Sequence, residues 1–139
     1  MNLPRVATRT TALVVALSLT TSCGASTPPQ VAAWEPAPGV LVRSESRSLA
    51  IVVVEQGCAG GDTAEGRIET PEVAYESDSV VVTVRVAPKS GFQTCPGNPP
   101  TCFQLDLDEP LGSRDLLMGG LGEPQPPSAG FVGAVNCPS

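Results

Sequence analysis

The sequence contains no histidine and is poor in aromatic and basic residues. The missing histidine removes the usual general base of serine hydrolases and a common ligand of structural zinc sites. Only five side chains are aromatic, which leaves little surface on which a sugar ring could stack. Eight basic residues stand against 14 acidic ones, a formal net charge of −6, and a chain with this balance repels nucleic acid.

A membrane-spanning helix requires a run of about 20 apolar residues, and the sequence has no run of that length. Its N-terminal apolar stretch, residues 11–19, is short and follows Arg5 and Arg9. A basic region, a short apolar run and small polar residues are the three parts of an export signal, which we predict over residues 1–22. Removing it leaves 117 residues with six basic and 14 acidic side chains, enough for one domain and a tether.

The end of this segment, Leu19-Thr20-Thr21-Ser22-Cys23-Gly24, resembles the bacterial lipoprotein signal. In that signal, cleavage occurs just before a cysteine whose sulfur has received diacylglycerol. The resemblance implies acyl chains such as palmitate at Cys23, and localisation at the cell membrane on the extracytoplasmic side. Each methylene buried in the bilayer contributes about 0.8 kcal/mol to membrane binding. Two acyl chains therefore anchor a protein that one acyl chain would hold only marginally. The alternative is cleavage nearby, with Cys23 left as a thiol.

Four further cysteines remain, namely Cys58, Cys95, Cys102 and Cys137. An even number in an exported chain predicts two disulfides, with three possible pairings. We favour Cys58 with Cys95 and Cys102 with Cys137, each contributing about 4 kcal/mol through loop closure. Redox catalysis is disfavoured because Cys95 and Cys102 lack Cys-x-x-Cys spacing, and zinc binding because the cysteines are widely spaced and histidine is absent. We predict no metal and no cofactor.

The pattern after Cys23 predicts an all-β fold, either a small antiparallel β-sandwich or a twisted sheet with two disulfides. Residues 23–47 are predicted to be a Pro-rich tether and connector, with Trp34 docked on the domain rather than at the membrane, and Val40-Leu41-Val42 as a candidate edge strand. The disulfide-stapled domain is predicted over 48–139. Its strands are expected near 49–55, 66–70, 72–77, 79–87, 102–108 and 131–135.

Two of these strands carry strong patterns. Residues 49–54 are apolar at every position, which is typical of a central strand. Val80, Val82, Val84 and Val86 alternate along one face of the other strand and predict a core-facing surface. With residues 72–77 and the turn at Ser77-Asp78, this second strand predicts a β-hairpin.

The stretch Leu107-Asp108-Glu109-Pro110-Leu111-Gly112-Ser113-Arg114 looks like the Leu-x-x-Pro-Leu-Gly-x-Arg segment of a family of small uncharacterised exported proteins from high-GC Gram-positive bacteria. The resemblance extends from Glu76 to Leu117 and includes a hairpin, a cysteine loop and a strand. It implies the fold and export of the chain, and it implies no activity.

The carboxylates are densest around Asp106, Asp108 and Glu109. Such oxygens suit calcium, although the spacing does not match an EF-hand, and Arg114 neutralising one of them is the favoured interpretation. Asp106 and Asp108 on one strand face also have the separation of a glycosidase carboxylate pair. We expect a non-catalytic lipoprotein that binds another envelope component. The alternatives are a small-ligand or calcium-binding lipoprotein using these three residues, and an envelope hydrolase.

Overall fold

The computed structural model describes residues 27–128 and 135–138, which form six β-strands and no helix. The all-β prediction is confirmed. The strands are β1 (Gln30–Pro36), β2 (Ser48–Val54), β3 (Glu72–Tyr75), β4 (Ser79–Val86), β5 (Thr101–Asp106) and β6 (Asp115–Met118). They form one sheet in the order β3-β4-β1-β2-β5, with β6 added alongside β4. Every pairing is antiparallel except β4–β6, so the chain adopts the twisted-sheet form of the prediction.

The two strongest sequence patterns predict their strands correctly. β2 lies between β1 and β5, and Val52 is completely buried even though it faces away from the main core. The four alternating valines of β4, Val80, Val82, Val84 and Val86, are all buried in that core. β3 and β4 form the predicted hairpin, whose turn is closed by a hydrogen bond from the Glu76 amide to the Ser79 carbonyl.

The predicted tether is wrong for residues 30–36, which form a central strand. The first half of β1 pairs with β4 and the second half with β2. Trp34 is completely buried, and its indole N–H donates to the Val82 carbonyl at 3.2 Å. The prediction that Trp34 docks on the domain is therefore confirmed in a stronger form. Burial of this ring and of Ala32 outweighs the weak strand propensity of an Ala- and Pro-rich stretch.

Three other local predictions differ from the structure. Val40-Leu41-Val42 is a loop. The predicted strand at 66–70 is reduced to one bridge, Ile68 with Val86, because Pro71 lacks the amide that would continue the ladder. Residues 115–118, which were not among the predicted strands, form β6, parallel to β4. Residues 131–134 of the last predicted strand lie outside the described residues, as does Cys23.

The sheet curves until its two edge strands meet. One buried core cluster contains side chains from five strands, including Trp34, Ile51, Val84, Leu105 and Met118, and side chains of β3 pack against it. The Asp108 amide, just beyond β5, donates to the Tyr75 hydroxyl of β3 at 2.8 Å. Since β3 and β5 are the two ends of the strand order, this contact makes the molecule a partly closed barrel.

Both predicted disulfides are present. Cys58 is bonded to Cys95, and Cys102 to Cys137. They close loops with sequence separations of 37 and 35 residues, each worth about 4 kcal/mol of loop-closure entropy. The second disulfide holds the C-terminal segment on the outer face of β5.

The barrel has two ends with different contents. The proximal end, where the described chain begins, is defined by the strand termini Gln30, Val54, Val86 and Thr101. Gln30 pairs with Val86, and Thr101 pairs with Val53, the residue before Val54. The distal end is defined by the opposite strand termini, Ser48, Ser79 and Asp106.

Candidate functional site

The candidate site is a groove between the two edge strands, called here the edge groove. It has a volume of about 340 Å³. Its lining comes from β3, β5 and the segments next to them: Thr70, Pro71, Val73, Tyr75, Phe103, Gln104, Asp106 and Asp108. β3 pairs only with β4, and β5 only with β2, among the described strands. On one side of each of these two strands, the peptide groups are therefore not paired with any described strand.

The distal end of the edge groove is fixed by the Leu-x-x-Pro-Leu-Gly-x-Arg segment. Arg114 donates to the carbonyls of Pro110 and Leu111 at 2.7 and 2.9 Å, which closes the segment into a compact turn. Its guanidinium lies over the Tyr75 ring, 5.2 Å from the centroid. This stacking fixes the ring whose hydroxyl accepts from Asp108, and such a contact stabilises by about 0.5–2 kcal/mol.

The structure separates the three carboxylates predicted as a possible ligand site. Asp106 and Asp108 are exposed and line the edge groove, and Asp106 accepts a hydrogen bond from the Ser48 hydroxyl. Glu109 does not line the groove and pairs with Arg114 at 3.4 Å, as the favoured interpretation of Arg114 predicts. No basic side chain among residues 27–128 and 135–138 forms an ion pair with Asp106 or Asp108. Arg47 donates to the Asp108 backbone carbonyl at 2.6 Å, and both carboxylates are exposed at the groove.

Two further findings concern the described part of the chain. No group of three or more His, Cys, Asp or Glu side chains is placed there to hold a metal ion. Nor does it contain a helix with the length and apolar content needed to span a bilayer.

A second cavity of about 590 Å³ lies at the proximal end, lined by Gly61, Asp62, Thr63, Glu65, Arg67, Lys89 and Pro99. Arg67, which lines this cavity, donates two hydrogen bonds to Glu55 behind it, at 2.6 and 2.7 Å, and the Glu55 side chain is only 5% exposed. Arg67 also donates to the carbonyls of Thr63 and Ala87. The guanidinium is thus used within the protein, joining the end of β2 to the loops around it.

The pKa shifts at this cavity follow from its ion pairs. The hydrogen bonds to Glu55 raise the pKa of Arg67, so its charge is permanent. A hydrogen bond from Lys89, followed by the charge of that residue, lowers the pKa of the exposed Asp62 carboxyl. Because Glu55 with Arg67 and Asp62 with Lys89 neutralise each other, the cavity offers little net charge to a ligand.

Tyr75 and Phe103 at the edge groove, and the Glu55–Arg67 pair, were not predicted from the sequence. One signal was available for the pair. Glu55 follows six consecutive apolar residues, and a carboxylate at the end of a fully buried strand requires a cation. The groove residues carry no comparable signal, because their proximity depends on the curvature of the whole sheet.

Comparisons of the chain with protein-family models, with curated proteins and with solved structures find no match. The resemblances to a lipoprotein signal and to the Leu-x-x-Pro-Leu-Gly-x-Arg segment therefore remain sequence-based expectations.

Proposed function

We propose that this chain is a non-catalytic lipoprotein of the cell envelope, held on the extracytoplasmic side of the membrane by acyl chains at Cys23. Its β-barrel binds a positively charged, extended segment of another envelope polypeptide in the edge groove. The observation that carries this function is the pair of facing strand edges, with available peptide groups and the carboxylates of Asp106 and Asp108 beside them.

The cysteine distribution supports the anchoring part of the proposal. Four of the five cysteines form two disulfides, which are typical of exported proteins and rare in the reducing cytoplasm. Cys23, the fifth, stands at the predicted cleavage point. The excess of carboxylates disfavours direct attraction to anionic headgroups, so an acyl anchor supplies the attachment to the membrane.

The binding part follows from the physics of strand edges. An edge strand can accept another strand through backbone hydrogen bonds, which give affinity, while side-chain pockets give specificity. In the edge groove, Val73 and Phe103 supply apolar contact, and Gln104 supplies an amide. Asp106 and Asp108 add negative charge, which selects lysine or arginine in the bound segment and disfavours an acidic one.

The anchoring is tested by mass spectrometry of the full chain from the membrane fraction of a Gram-positive host, without reduction. We expect an N-terminal peptide beginning at Cys23 with the mass of two or three acyl chains. The Cys23→Ala variant is the matched control and should leave the membrane fraction. An unmodified Cys23, or a variant that stays in the membrane fraction, would contradict the proposal.

The binding is tested by placing a photoreactive amino acid at Gln104, inside the groove, and separately at Gln56, which is exposed at the opposite end. Irradiation of intact cells should give a crosslinked envelope polypeptide from position 104 only. A lysine-rich peptide should compete with it. The double variant Asp106→Asn, Asp108→Asn should weaken it by about two- to thirtyfold, since each rim charge pair contributes about 0.2–1 kcal/mol. Equal products from both positions, or a product insensitive to the double variant, would refute the groove as the binding site.

A further inference from the structure

The most exposed large apolar side chain in the described part of the protein is Phe92, with 96% of its surface accessible. A phenylalanine this exposed lowers solubility and contributes nothing to the core. It lies in the loop between β4 and β5, residues 87–100. This loop is held in place, so the exposure is not a consequence of a free chain.

Several contacts tie the loop to the segment after β2. Cys95 is bonded to Cys58, and the Gly60 amide donates to the Thr94 carbonyl at 3.0 Å. Asn98 donates from its side-chain amide to the carbonyls of Glu55 and Gly57. Phe92 is thus presented at the proximal end by a disulfide-closed support.

The same end receives the N-terminal part of the chain. Gln30, at the start of β1, pairs with Val86 and packs against Gly57, where a Cβ would lie only 2.5 Å from the Gln30 side-chain oxygen. Gln30 is seven Cα-to-Cα steps from Cys23, and an extended chain of that length spans at most about 24 Å. An acyl group at Cys23 therefore keeps the proximal end within about 24 Å of the bilayer.

The distribution of charge matches this orientation. Residues 24–34 and 87–105 contain no carboxylate, although the whole chain has 14. The segment after β2 also brings Glu55, Asp62 and Glu65 to the proximal end, where Glu55 is paired with Arg67 and Asp62 with Lys89. The distal end has more carboxylates, of which only Glu45 and Glu109 form ion pairs among the described residues: Glu45, Glu76, Asp78, Asp106, Asp108, Glu109 and Asp115. An anionic membrane surface repels the distal end, and it tolerates the loop that presents Phe92.

We infer that the Phe92 loop is a second membrane contact, in which the phenyl ring inserts into the interfacial region of the bilayer and holds the barrel upright on its anchor. This inference rests on the proposed acylation of Cys23. It deepens the proposed function, because an upright barrel directs the acidic distal end, including the Asp106 and Asp108 part of the edge groove, away from the membrane.

The test measures depth with an indole probe. The full acylated chain, carrying Phe92→Trp or Leu41→Trp, is reconstituted into vesicles of phosphatidylcholine and phosphatidylglycerol brominated near the start of the acyl chains. Leu41 is the matched control, since it is 67% exposed in a loop at the distal end. The buried Trp34 contributes the same background to both proteins, and subtracting the parent emission isolates the new indole.

We expect brominated lipid to lower the emission of the indole at position 92 by about twofold or more and to leave that at position 41 unchanged, because interfacial side chains lie about 5–10 Å into the headgroup and acyl boundary. If the protein floats with the vesicles and both positions give equal quenching or none, the Phe92 contact is refuted while the anchor stands. If the acylated chain does not float, the anchor itself is refuted, and the inference fails with it.

Discussion

Replacement of Trp34 tests the structural finding that departs most from the sequence pattern, the central position of β1. Trp34→Ala removes a completely buried indole and its hydrogen bond to Val82. Large-to-small changes of this kind cost about 3–5 kcal/mol, a large share of the about 5–15 kcal/mol by which small domains are stable. We therefore expect a loss of about 4 kcal/mol.

Trp34→Phe separates the hydrogen bond from the packing. The Val82 carbonyl also accepts the Gly119 amide at 3.0 Å, so it is not left unpaired when the indole is removed. The expected loss is then about 1–2 kcal/mol, from one hydrogen bond and a smaller ring. Leu41→Ala, at a position 67% exposed, is the control and should change stability by less than about 0.5 kcal/mol.

The assay is urea unfolding of the oxidised protein followed by far-ultraviolet circular dichroism, which does not depend on the tryptophan. With an m-value of about 2 kcal/mol/M, a loss of 4 kcal/mol moves the midpoint by about 2 M. If the midpoint for Trp34→Ala moved no further than that for Leu41→Ala, residues 30–36 would be a tether after all, and the topology described above would be wrong.

Three more predictions concern the charges. Glu55→Gln should lower the free energy of unfolding by about 3 kcal/mol in the same assay, because Arg67 is left half-buried without its counter-charge. Glu65→Gln, at an exposed position, is the control and should leave stability nearly unchanged. Equal effects of the two changes would show that the Glu55–Arg67 pair does not stabilise the fold. Lys89 lowers the pKa of Asp62, so the ionised carboxylate stabilises the fold above about pH 4, and this stabilisation is lost as the pH falls through the lowered pKa. The melting temperatures of the parent and of Asp62→Asn should therefore differ at pH 6 and converge in acid. A difference that widens in acid would contradict this. Calcium added in excess should leave the melting temperature unchanged, and a saturable rise would favour the calcium-binding alternative.

The parts of the fold that could be predicted are those with a local signal. The valines of β4 and the continuous apolar run of β2 are readable because their patterns match a strand with one or two buried faces. β1 has no such pattern, since Ala32 and Ala33 carry little hydrophobic surface and prolines stand at both sides. Only Trp34 indicated that this stretch is buried. It predicted that the ring contacts the domain, but not that the stretch forms a central strand.

The candidate site was only partly predictable for the same reason. Asp106 and Asp108 could be assigned to one exposed strand face from alternation alone. Their meeting with β3 requires the sheet to curve through four intervening strand pairings, which no local pattern encodes. β6 was missed because its parallel pairing with β4 is non-local and its four residues begin with an exposed aspartate.

The position of β1 determines how the molecule would carry a mechanical load. The chain from residue 27 leads directly into β1, whose first half pairs with β4 and whose second half pairs with β2, both antiparallel. In such a pair the backbone hydrogen bonds lie across the strand direction. A pull along residues 27–29 therefore loads these hydrogen bonds in shear at the same time, rather than opening them one after another. The barrel should resist force from that direction better than a domain tethered through an edge strand.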